Sequence, residues 1–398
     1  MKRIAYLLHN FPGITDTFIK REIRSLQKTG VSVRVISVWK PKESQTTPAI
    51  LSEWSTDTDF ILPRSALAVL YILLKVFMRA PVRFMQTIYL ALQTARPGLR
   101  GIAFQIFYFA EAALAADILR KYAIDHVHNH IGDQSGTVTM LAARLANIEY
   151  SITFHGWPVF FDAKYSSIKE KVGAARFIRA ISYFCRSQLM MFSEAVDPTP
   201  FKVIHCGLSL EKYKYRPPSG QVRSLFCAAR LSPEKGLTFL IHALKELIDN
   251  ACDFELRLAG NGPSLDSLKK LVAALGVSDN VRFLGFLDED QIIDELQRSD
   301  LFVLPSFVEG IPVAAMEAMA IGVPVVVTNI AGTSELVEDG KTGLLVRPSD
   351  SKTLANAIMR IAHDHPLALR LSEAARRKVA EEFDVAKEAA KLRECFLN

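Results

Sequence analysis

Short apolar runs alternate with amphipathic runs along most of this chain, and this alternation constrains the fold more than any other feature. It is the pattern of parallel βαβ units, in which a helix follows each strand and packs on the sheet. A first series of strands is predicted at 3–10, 31–39, 126–130, 150–156, 177–182 and 201–207, and a second at 223–231, 254–262, 281–287, 300–306 and 324–330.

One segment, 208–223, separates the two series and has the composition of a linker. It holds two prolines and a Ser-Gly pair, and it lacks apolar periodicity. A chain of 398 residues is also too long for one ordinary core. The predicted fold class is therefore α/β, with two Rossmann-like, doubly wound domains facing across a cleft, where a ligand is expected. The predicted boundaries are 1–207 for the first domain with a helical insertion at about 66–122, 208–223 for the linker, 224–380 for the second domain, and 381–398 for a final helix that crosses back to the first domain.

The charge balance is mildly basic, with 48 Lys and Arg against 42 Asp and Glu, which gives +6. In a chain of this length, that excess favours phosphorylated ligands or an anionic membrane surface over nucleic acid, and no RNP-like or helix-turn-helix signature occurs. Five scattered cysteines without a CxxC pair are typical of reduced thiols in the cytoplasm. The apolar run at the start favours a buried first strand over a signal peptide.

The segment 66–122 is apolar with interleaved Arg and Lys, and it allows two interpretations. Its first run, 66–78, is broken by Lys75 and falls short of the roughly 20 apolar residues that a membrane span needs. The segment forms either core helices or a basic, apolar surface that lies on the inner face of the cell membrane. The sequence leaves both interpretations open.

The run SFVEGIPVAAMEAMAIGVPVV, 306–326, places two carboxylates in an apolar stretch. Glu309 precedes a helix whose first turn holds Pro312, and Glu317 lies about two turns inside it, roughly 10–12 Å away. That separation is too large for an acid–base pair acting across one bond, so the carboxylates are expected to hold two parts of one extended ligand. Amides at the helix start form a phosphate seat, which Gly310 lets a ligand approach closely. The alternative is that Glu309 caps the helix and Glu317 is incidental.

A second phosphate-binding candidate is AARLSPEKGL, 228–237. Arg230 ends a strand and Lys235 precedes the glycine that opens a helix, so two cations would neutralise a diphosphate without a metal ion. Asn261 lies in a glycine-rich turn at another strand end, where ligands of open α/β sheets bind.

In the first domain, His155 ends a strand just before a glycine, which directs it toward the cleft, and Gly13 offers backbone N–H groups in the first strand-to-helix turn. No GxGxxG follows any strand, which argues against a dinucleotide-dependent oxidoreductase.

Two apparent metal motifs are weak. Asp57 and Asp59 spell DxD outside the strand-end context of metal–diphosphate sites. The histidines of HVHNH, 126–130, spread too far along one strand to close on one zinc ion, and no carboxylate or cysteine spacing completes the site.

These motifs resemble glycosyltransferase family 4, whose members are retaining, nucleotide-sugar-dependent enzymes of the GT-B fold. Within 225–348 the similarity is carried by ARLSPEKG, LAGNGP, VRFLGFL and SFVEGIPVAAMEAMAIGVPVVVTNIAGTSELVEDGKTGLLV, the last of which matches the E-x7-E element of the family. Near the start, FPGITDTFIKREIRSLQKTG, HVHNHIG and FHG resemble bacterial exopolysaccharide transferases, such as those of colanic acid and amylovoran assembly.

The resemblance implies roles for individual residues. Glu309 is expected to bind donor-sugar hydroxyls and Glu317 the ribose. Arg230 and Lys235 are expected to clamp the diphosphate, and His155 to meet the sugar near the reacting carbon; with Glu309, these are the expected catalytic residues. The family usually has Gly-Gly in the first turn where this chain has one glycine. The whole donor-binding set implied is Gly13, Arg230, Lys235, Asn261, Glu309, Gly310, Ile311, Pro312, Val313 and Glu317.

The implied reaction moves a hexose from a UDP- or GDP-sugar to a lipid-linked oligosaccharide bound by the first domain, in exopolysaccharide or cell-surface polysaccharide biosynthesis. No cofactor or metal is implied, because cations and helix amides would stabilise the charge that grows on the leaving diphosphate. The expected protein is cytoplasmic, lies peripherally on the inner membrane surface and binds no nucleic acid. The alternatives are a sugar-nucleotide epimerase of related architecture, which needs no acceptor surface, and a non-catalytic subunit that only binds nucleotide sugar.

Overall fold

The computed structural model of the protein describes residues 2–156 and 159–398. The chain forms two compact units, one of Met1–His205 with Glu388–Asn398 and the other of Cys206–Lys387. Each unit is built around one parallel β-sheet. The predicted class, α/β with two parallel-sheet domains, is confirmed.

The first unit contains a seven-stranded sheet. Its strands are β1 Arg3–Asn10, β2 Ser32–Trp39, β3 Thr58–Leu62, β4 His126–His130, β5 Glu149–Phe154, β6 Phe177–Ala180 and β7 Phe201–Val203. They lie in the order β3-β2-β1-β4-β5-β6-β7, and all neighbours are parallel. In the central strand β1, Ile4 pairs with Val33 on one side and His126 on the other. The carboxyl ends of β4 and β5 therefore lie side by side, which places His130 beside the start of the loop that holds His155.

The helices of this unit follow from apolar stripes on their inner faces. They are α1 Thr17–Lys28, α2 Pro48–Trp54, α3 Ala66–Arg79, α4 Pro81–Gln93, α5 Leu99–Lys121, α6 Gln134–Ala146, α7 Ile168–Gly173 and α8 Tyr183–Ser193. In α1, Ile19, Ile23 and Leu26 recur at helical spacing and are buried. The helix ends at the predicted glycine, since Gly30 follows with φ +84°, a value that favours glycine.

The end of the chain completes the core of the first unit. Most of the last helix, which spans Val385–Leu397, belongs to this unit, and Leu392 and Phe396 are fully buried there. The ring of Phe396 lies 5.6 Å from that of Phe177 and 5.3 Å from that of His126.

The second unit contains a six-stranded sheet. Its strands are β8 Ser224–Ala228, β9 Glu255–Ala259, β10 Val281–Gly285, β11 Leu301–Leu304, β12 Val325–Thr328 and β13 Leu344–Val346. Their order is β10-β9-β8-β11-β12-β13, and all neighbours are parallel. The remaining helices are α9 Leu237–Asp249, α10 Leu265–Ala274, α11 Glu289–Gln297, α12 Val313–Ile321, α13 Thr333–Leu336, α14 Ser351–His363 and α15 His365–Glu382, and the last helix of the chain is α16.

Several predicted boundaries differ from the structure. The predicted linker 208–223 belongs to the second unit, where Leu208 and Tyr213 are buried in the core despite the linker-like composition around them. The predicted final helix, 381–398, begins only at Val385, because the chain between α15 and α16 turns aside and Leu208 N donates to Phe383 O at 2.8 Å. Strands β3 and β13 were not predicted.

The helices of 66–122 divide their apolar side chains between the core and the surface. Ile72, Val76 and Phe109 are buried, but Leu67 and Leu99 are 80% and 87% exposed. Among the described residues, α5 is the one helix long and apolar enough to cross a membrane, and 56% of that apolar window is buried inside the protein.

Candidate functional site

The strand order of the second unit creates a crevice at the middle of its sheet. From β8 the chain proceeds to β9 and β10 on one side, and from β11 to β12 and β13 on the other. At such a switch point, the loops after two neighbouring strands diverge, and ligands bind outside the carboxyl ends. Arg230 and Lys235 follow β8, and Glu309 follows β11. The two predicted phosphate-binding segments therefore meet at one switch point.

An ion pair joins the two loops at this crevice. Lys235 Nζ lies 2.7 Å from Glu309 Oε1, and Ser306 Oγ donates to the same oxygen at 2.6 Å. The two side chains are 21% and 12% exposed, so both are reachable from solvent yet held in place. Glu309 does not cap α12, because Pro312 occupies the N-cap position without a side-chain hydrogen bond. The structure therefore contradicts the alternative in which Glu309 caps the helix.

Backbone packing holds these loops close together. Phe307 N donates to Glu234 O at 2.8 Å. Gly236 adopts φ +62°, and a Cβ at this position would collide with the carbonyl oxygen of Pro305. Glycine is required here on both counts, and the close approach that it permits brings Lys235 within reach of Glu309.

The surroundings of the ion pair are positively charged. Arg230 is exposed, and its guanidinium makes no hydrogen bond within the described part of the chain. The pKa of Glu234 lies below its ordinary value: burial acts to raise it, but the hydrogen bond from Ser232 and the charges of Lys235 and Arg230 outweigh burial. Asn261 is exposed on the next loop, where its carbonyl oxygen accepts from Leu231 N at 3.0 Å. This arrangement suits an anion that carries two or more charges.

The start of α12 adds backbone donors. Ile311 and Pro312 are buried, and Gly310 and Val313 are half-buried. The amides of Gly310 and Ile311 donate to no other group in 2–156 and 159–398, as expected for orphan donors before a helix. Inside the helix, Glu317 is buried and accepts from Tyr213 OH at 3.0 Å. Glu317 is therefore held in a fixed position within an otherwise apolar helix. Its predicted contact with a ribose stays a prediction.

In the first unit, His155 stands at the end of a buried chain of hydrogen bonds. His155 Nε2 lies 3.0 Å from His130 Nδ1, and His130 Nε2 lies 3.0 Å from Glu22 Oε1. Tyr6 OH donates to the same carboxylate at 2.6 Å, and Arg179 Nη1 pairs with its other oxygen. Glu22, Tyr6 and Arg179 have no obvious signal in the sequence, because α1, β1 and β6 bring them together from distant positions.

The protonation states of this chain follow from its charges. Burial acts to raise the pKa of Glu22, but Arg179 and His130 hold it well below its ordinary value, so the carboxylate is ionised. Burial, with His130 and Arg179, holds the pKa of His155 well below its ordinary value, so this imidazole is neutral. The ring of His155 also packs 4.8 Å from that of Phe18. The predicted contact of His155 with a donor sugar stays a prediction.

The same cluster contains three side chains that could hold a metal ion. Ligand atoms of Glu22, His128 and His130 all lie within 4.8 Å of one another. The prediction that no carboxylate accompanies the histidines was wrong, because α1 supplies Glu22. However, the two nitrogens of His128 lie 2.7 and 2.8 Å from hydroxyl groups of Ser151 and Thr153, and Arg179 places a positive charge on the carboxylate. These donors fit a hydrogen-bonded network better than a cation.

Two further predicted features have protein partners. Gly13 N donates to Asp16 Oδ2 at 2.6 Å, so this amide is already used within its own turn. Asp59 of the DxD sequence pairs with Arg34 and accepts from Tyr122 OH at 3.1 Å. The role of Gly13 in phosphate binding stays a prediction.

Comparisons with known proteins agree with this geometry. The family described as Glycosyl transferases group 1 matches residues 214–378, which include the whole crevice. The chain is 28% identical to an Escherichia coli protein named UDP-Gal:alpha-D-GlcNAc-diphosphoundecaprenol alpha-1,3-galactosyltransferase, over 71% of this chain and 77% of that protein. It is 35% identical to the amylovoran biosynthesis glycosyltransferase AmsK of Erwinia amylovora, over 46% and 47%. The crystal structure of HepE from Anabaena in complex with UDP superposes with a TM-score of 0.75 at 20% identity, over 99% of both chains, and this likeness confirms the GT-B fold.

Proposed function

We propose that this chain, a glycosyltransferase by its group 1 domain at residues 214–378, transfers a hexose from a UDP- or GDP-sugar to a lipid-linked oligosaccharide. We propose that this reaction belongs to exopolysaccharide or other cell-surface polysaccharide biosynthesis. The name of the Erwinia amylovora relative assigns that protein to amylovoran biosynthesis. A UDP-sugar and a diphosphate-linked lipid are named for the Escherichia coli relative, and HepE binds UDP. These properties of similar proteins support the choice of donor and acceptor.

The observation that carries the proposal is the crevice between β8 and β11. Two cations, two amides without a partner among the described residues and one partly exposed carboxylate lie on the loops after these two strands, and such groups suit a nucleoside diphosphate joined to a sugar. A diphosphate that binds at Lys235 and Arg230 replaces part of the charge now supplied by Glu309. One oxygen of Glu309 can then accept from sugar hydroxyls.

The proposed chemistry proceeds with retention and without a metal ion. The bond between the anomeric carbon and the diphosphate oxygen breaks, and its electron pair stays on the phosphate. Lys235, Arg230 and the helix amides stabilise that charge as it develops. The acceptor hydroxyl attacks the same face of an oxocarbenium-like sugar, and its proton passes to the departing phosphate oxygen. The result is a glycosidic bond and a free nucleoside diphosphate.

The surface of α3, α4 and α5 supports peripheral binding to the cytoplasmic face of a membrane. Apolar side chains that are well exposed on these helices include Leu67, Leu70, Met78, Val82, Tyr89 and Leu99. Arg79 and Arg100 are exposed among them. Exposed apolar patches rimmed by cations are typical of proteins that lie on anionic lipid. We expect cosedimentation with phosphatidylglycerol vesicles that weakens in Leu70→Glu and is unaffected in Val196→Glu. Val196 is 97% exposed against 64% for Leu70, but it lies outside these helices.

Transfer is tested with a panel of UDP- and GDP-sugars and lipid-diphosphate-linked saccharides, with a chelator present throughout. We expect acceptor-dependent transfer that survives chelation and falls by about 100-fold or more in Lys235→Ala and in Glu309→Ala. Lys341→Ala is the matched control, because Lys341 pairs with Glu338 at 3.2 Å on the exposed surface of the same unit. Epimerisation of the donor without acceptor, or full transfer in both crevice variants, would contradict the proposal.

A further inference from the structure

A second cavity lies entirely within the first unit, at the carboxyl ends of β4 and β5. Its volume is about 550 Å³, and it is bounded by the first half of α5, the start of α6 and the segment 159–166. Parallel α/β sheets bind ligands at this edge, and the cavity is large enough for one or two sugar rings. None of the predicted donor-binding residues lines it.

The walls of the cavity combine aromatic rings with cations. Phe104 and Tyr108 of α5 lie with their ring centroids 6.2 Å apart and nearly parallel, and Tyr165 faces them from the segment 159–166. Arg96 pairs with Asp162 and lies 5.4 Å from the centre of the Tyr165 ring. Aromatic faces beside a few convergent polar groups are the lining expected of a site for an amphipathic ring such as a pyranose.

One buried polar group in the wall has an unused acceptor. Gln105 is 7% exposed, and its Nε2 donates to Thr94 O at 3.0 Å. Its Oε1 is buried and has no hydrogen-bond partner in the part of the chain that the structure describes. A buried acceptor without a partner is unfavourable, so its retention in the cavity wall fits a ligand that donates to it. Sugar hydroxyl groups are donors of this kind.

The floor of the cavity is held rigidly. Lys171 is 1% exposed, and its Nζ donates to Gly132 O at 2.9 Å and to Asp133 O at 2.8 Å. Asp133 in turn accepts from Ser135 N at 2.9 Å and so caps α6. These bonds fix the loop after β4 against the wall, which gives the cavity a shape formed before any ligand arrives.

The mouth of the cavity adjoins the apolar surface of α5. Phe104 both lines the cavity and is 45% exposed, and Leu99 and Ile106 on the same helix are 87% and 59% exposed. Arg100, which also lines the cavity, lies 5.6 Å from the Phe104 ring on this side. Phe104 therefore belongs both to the wall of the cavity and to the exposed apolar surface of α5.

We propose that this cavity binds the sugar of the lipid-linked acceptor, with the linking phosphate at Arg96 and Arg100 and the lipid along the apolar surface of α5. The inference rests on the proposed transfer to a lipid-linked saccharide, and it names the residues that would recognise that acceptor. A free saccharide fits the pocket but not the arginines and apolar helix that follow it.

The test measures binding directly, so that it does not depend on transfer. The probe is N-acetylglucosamine joined through a diphosphate to a short, water-soluble alkyl chain, titrated calorimetrically into the full chain. We expect the dissociation constant to rise about ten-fold or more in Phe104→Ala and in Arg100→Ala. The matched controls are Tyr183→Ala and Arg144→Ala, which change an exposed aromatic and an exposed arginine of the same unit outside both the cavity and the surface of α3, α4 and α5. We expect N-acetylglucosamine without the diphosphate to bind more weakly and to be insensitive to Arg100→Ala.

The outcomes separate this inference from the proposed function. The inference would be overturned if the controls lost as much probe binding as the cavity variants. It would also be overturned if the unaltered chain did not bind the probe. Binding of UDP or GDP is measured on the same variants and should not change. If both cavity variants transfer sugar with an unchanged KM for the acceptor, the proposed function is supported and the cavity is not the acceptor site. Probe binding that weakens as expected, without any transfer, would support the cavity and refute the function.

Discussion

Replacing Glu22 by glutamine should destabilise the first unit strongly, because it removes the negative charge of a buried cluster. The carboxylate accepts from Tyr6, His130 and Arg179. Glutamine keeps the shape of the side chain and one acceptor oxygen, but its NH₂ group faces groups that are themselves donors. The substitution also leaves the buried charge of Arg179 without its counter-ion. Removing one partner of a buried ion pair costs about 3–5 kcal/mol. Arg179 retains its bonds to two backbone carbonyls, so we expect the lower end, about 3 kcal/mol.

Urea denaturation followed by tryptophan fluorescence measures this effect in the first unit alone. The three tryptophans of the chain, Trp39, Trp54 and Trp157, all belong to that unit. The matched control is Glu194→Gln, which breaks the ion pair with Lys169. The side chains of Glu194 and Lys169 are 72% and 61% exposed. Such a pair contributes little to stability, because solvent screens two exposed charges. A loss in Glu22→Gln no larger than in Glu194→Gln would refute the inference that the cluster holds an ionised carboxylate.

The difference between the unaltered protein and Glu22→Gln should also depend on pH. Although burial acts to raise the pKa of Glu22, Arg179 and His130 lower it on balance, so the folded protein favours the ionised form. Its stabilising contribution is fully present above the unfolded-state pKa of about 4.3. The contribution shrinks as the pH falls from there toward the lower pKa of the folded state.

Two further predictions concern the buried histidines and the crevice. Burial lowers the pKa of His126 to about 3 and those of His128 and His155 well below their ordinary values, so the unfolded chain takes up three more protons than the folded one below about pH 6.5. Burial raises the pKa of Glu111 to about 7, which offsets one of these protons between about pH 4.5 and 6.5, so the first unit should lose about 2.7 kcal/mol of stability per pH unit there as the pH falls. Stability that is constant from pH 6.5 to 5 in urea titrations would contradict this. In the second unit, Gly236→Ala should reduce transfer at least about ten-fold, because it displaces the loop that holds Lys235. The control is Gly276→Ala, which has a similar φ of +68° but open space around its Cβ, and which should affect stability alone. Equal transfer rates in the two variants would contradict the reasoning.

The fold was predictable because periodicity survives wherever a segment is long. The apolar runs that become β1, β2 and β5 are each six residues or longer and stand next to helices with clear apolar stripes. The linker was misplaced because its buried residues, Leu208 and Tyr213, are separated by the exposed Glu211 and Lys212 and follow no regular period.

The site was predictable where chemistry lies next to a strand end. Lys235 and Glu309 both follow strands, so their common edge could be inferred, but not the 2.7 Å contact, which depends on β8 and β11 being neighbours. Glu22 lies inside a helix of mixed charge, where a carboxylate usually faces solvent. Its burial follows from the tertiary packing that brings it to Arg179, and no local pattern encodes that packing.

The helix α16 makes the first unit discontinuous along the chain. Residues 388–398 supply Leu392 and Phe396 to a core whose other members precede residue 206, with the whole second unit between them. During synthesis on the ribosome, the first unit therefore emerges early yet lacks part of its core until these last residues are made. We expect the second unit, continuous from 206 to 387, to be complete before the first, so that the first unit finishes folding last although most of its residues are synthesised earlier.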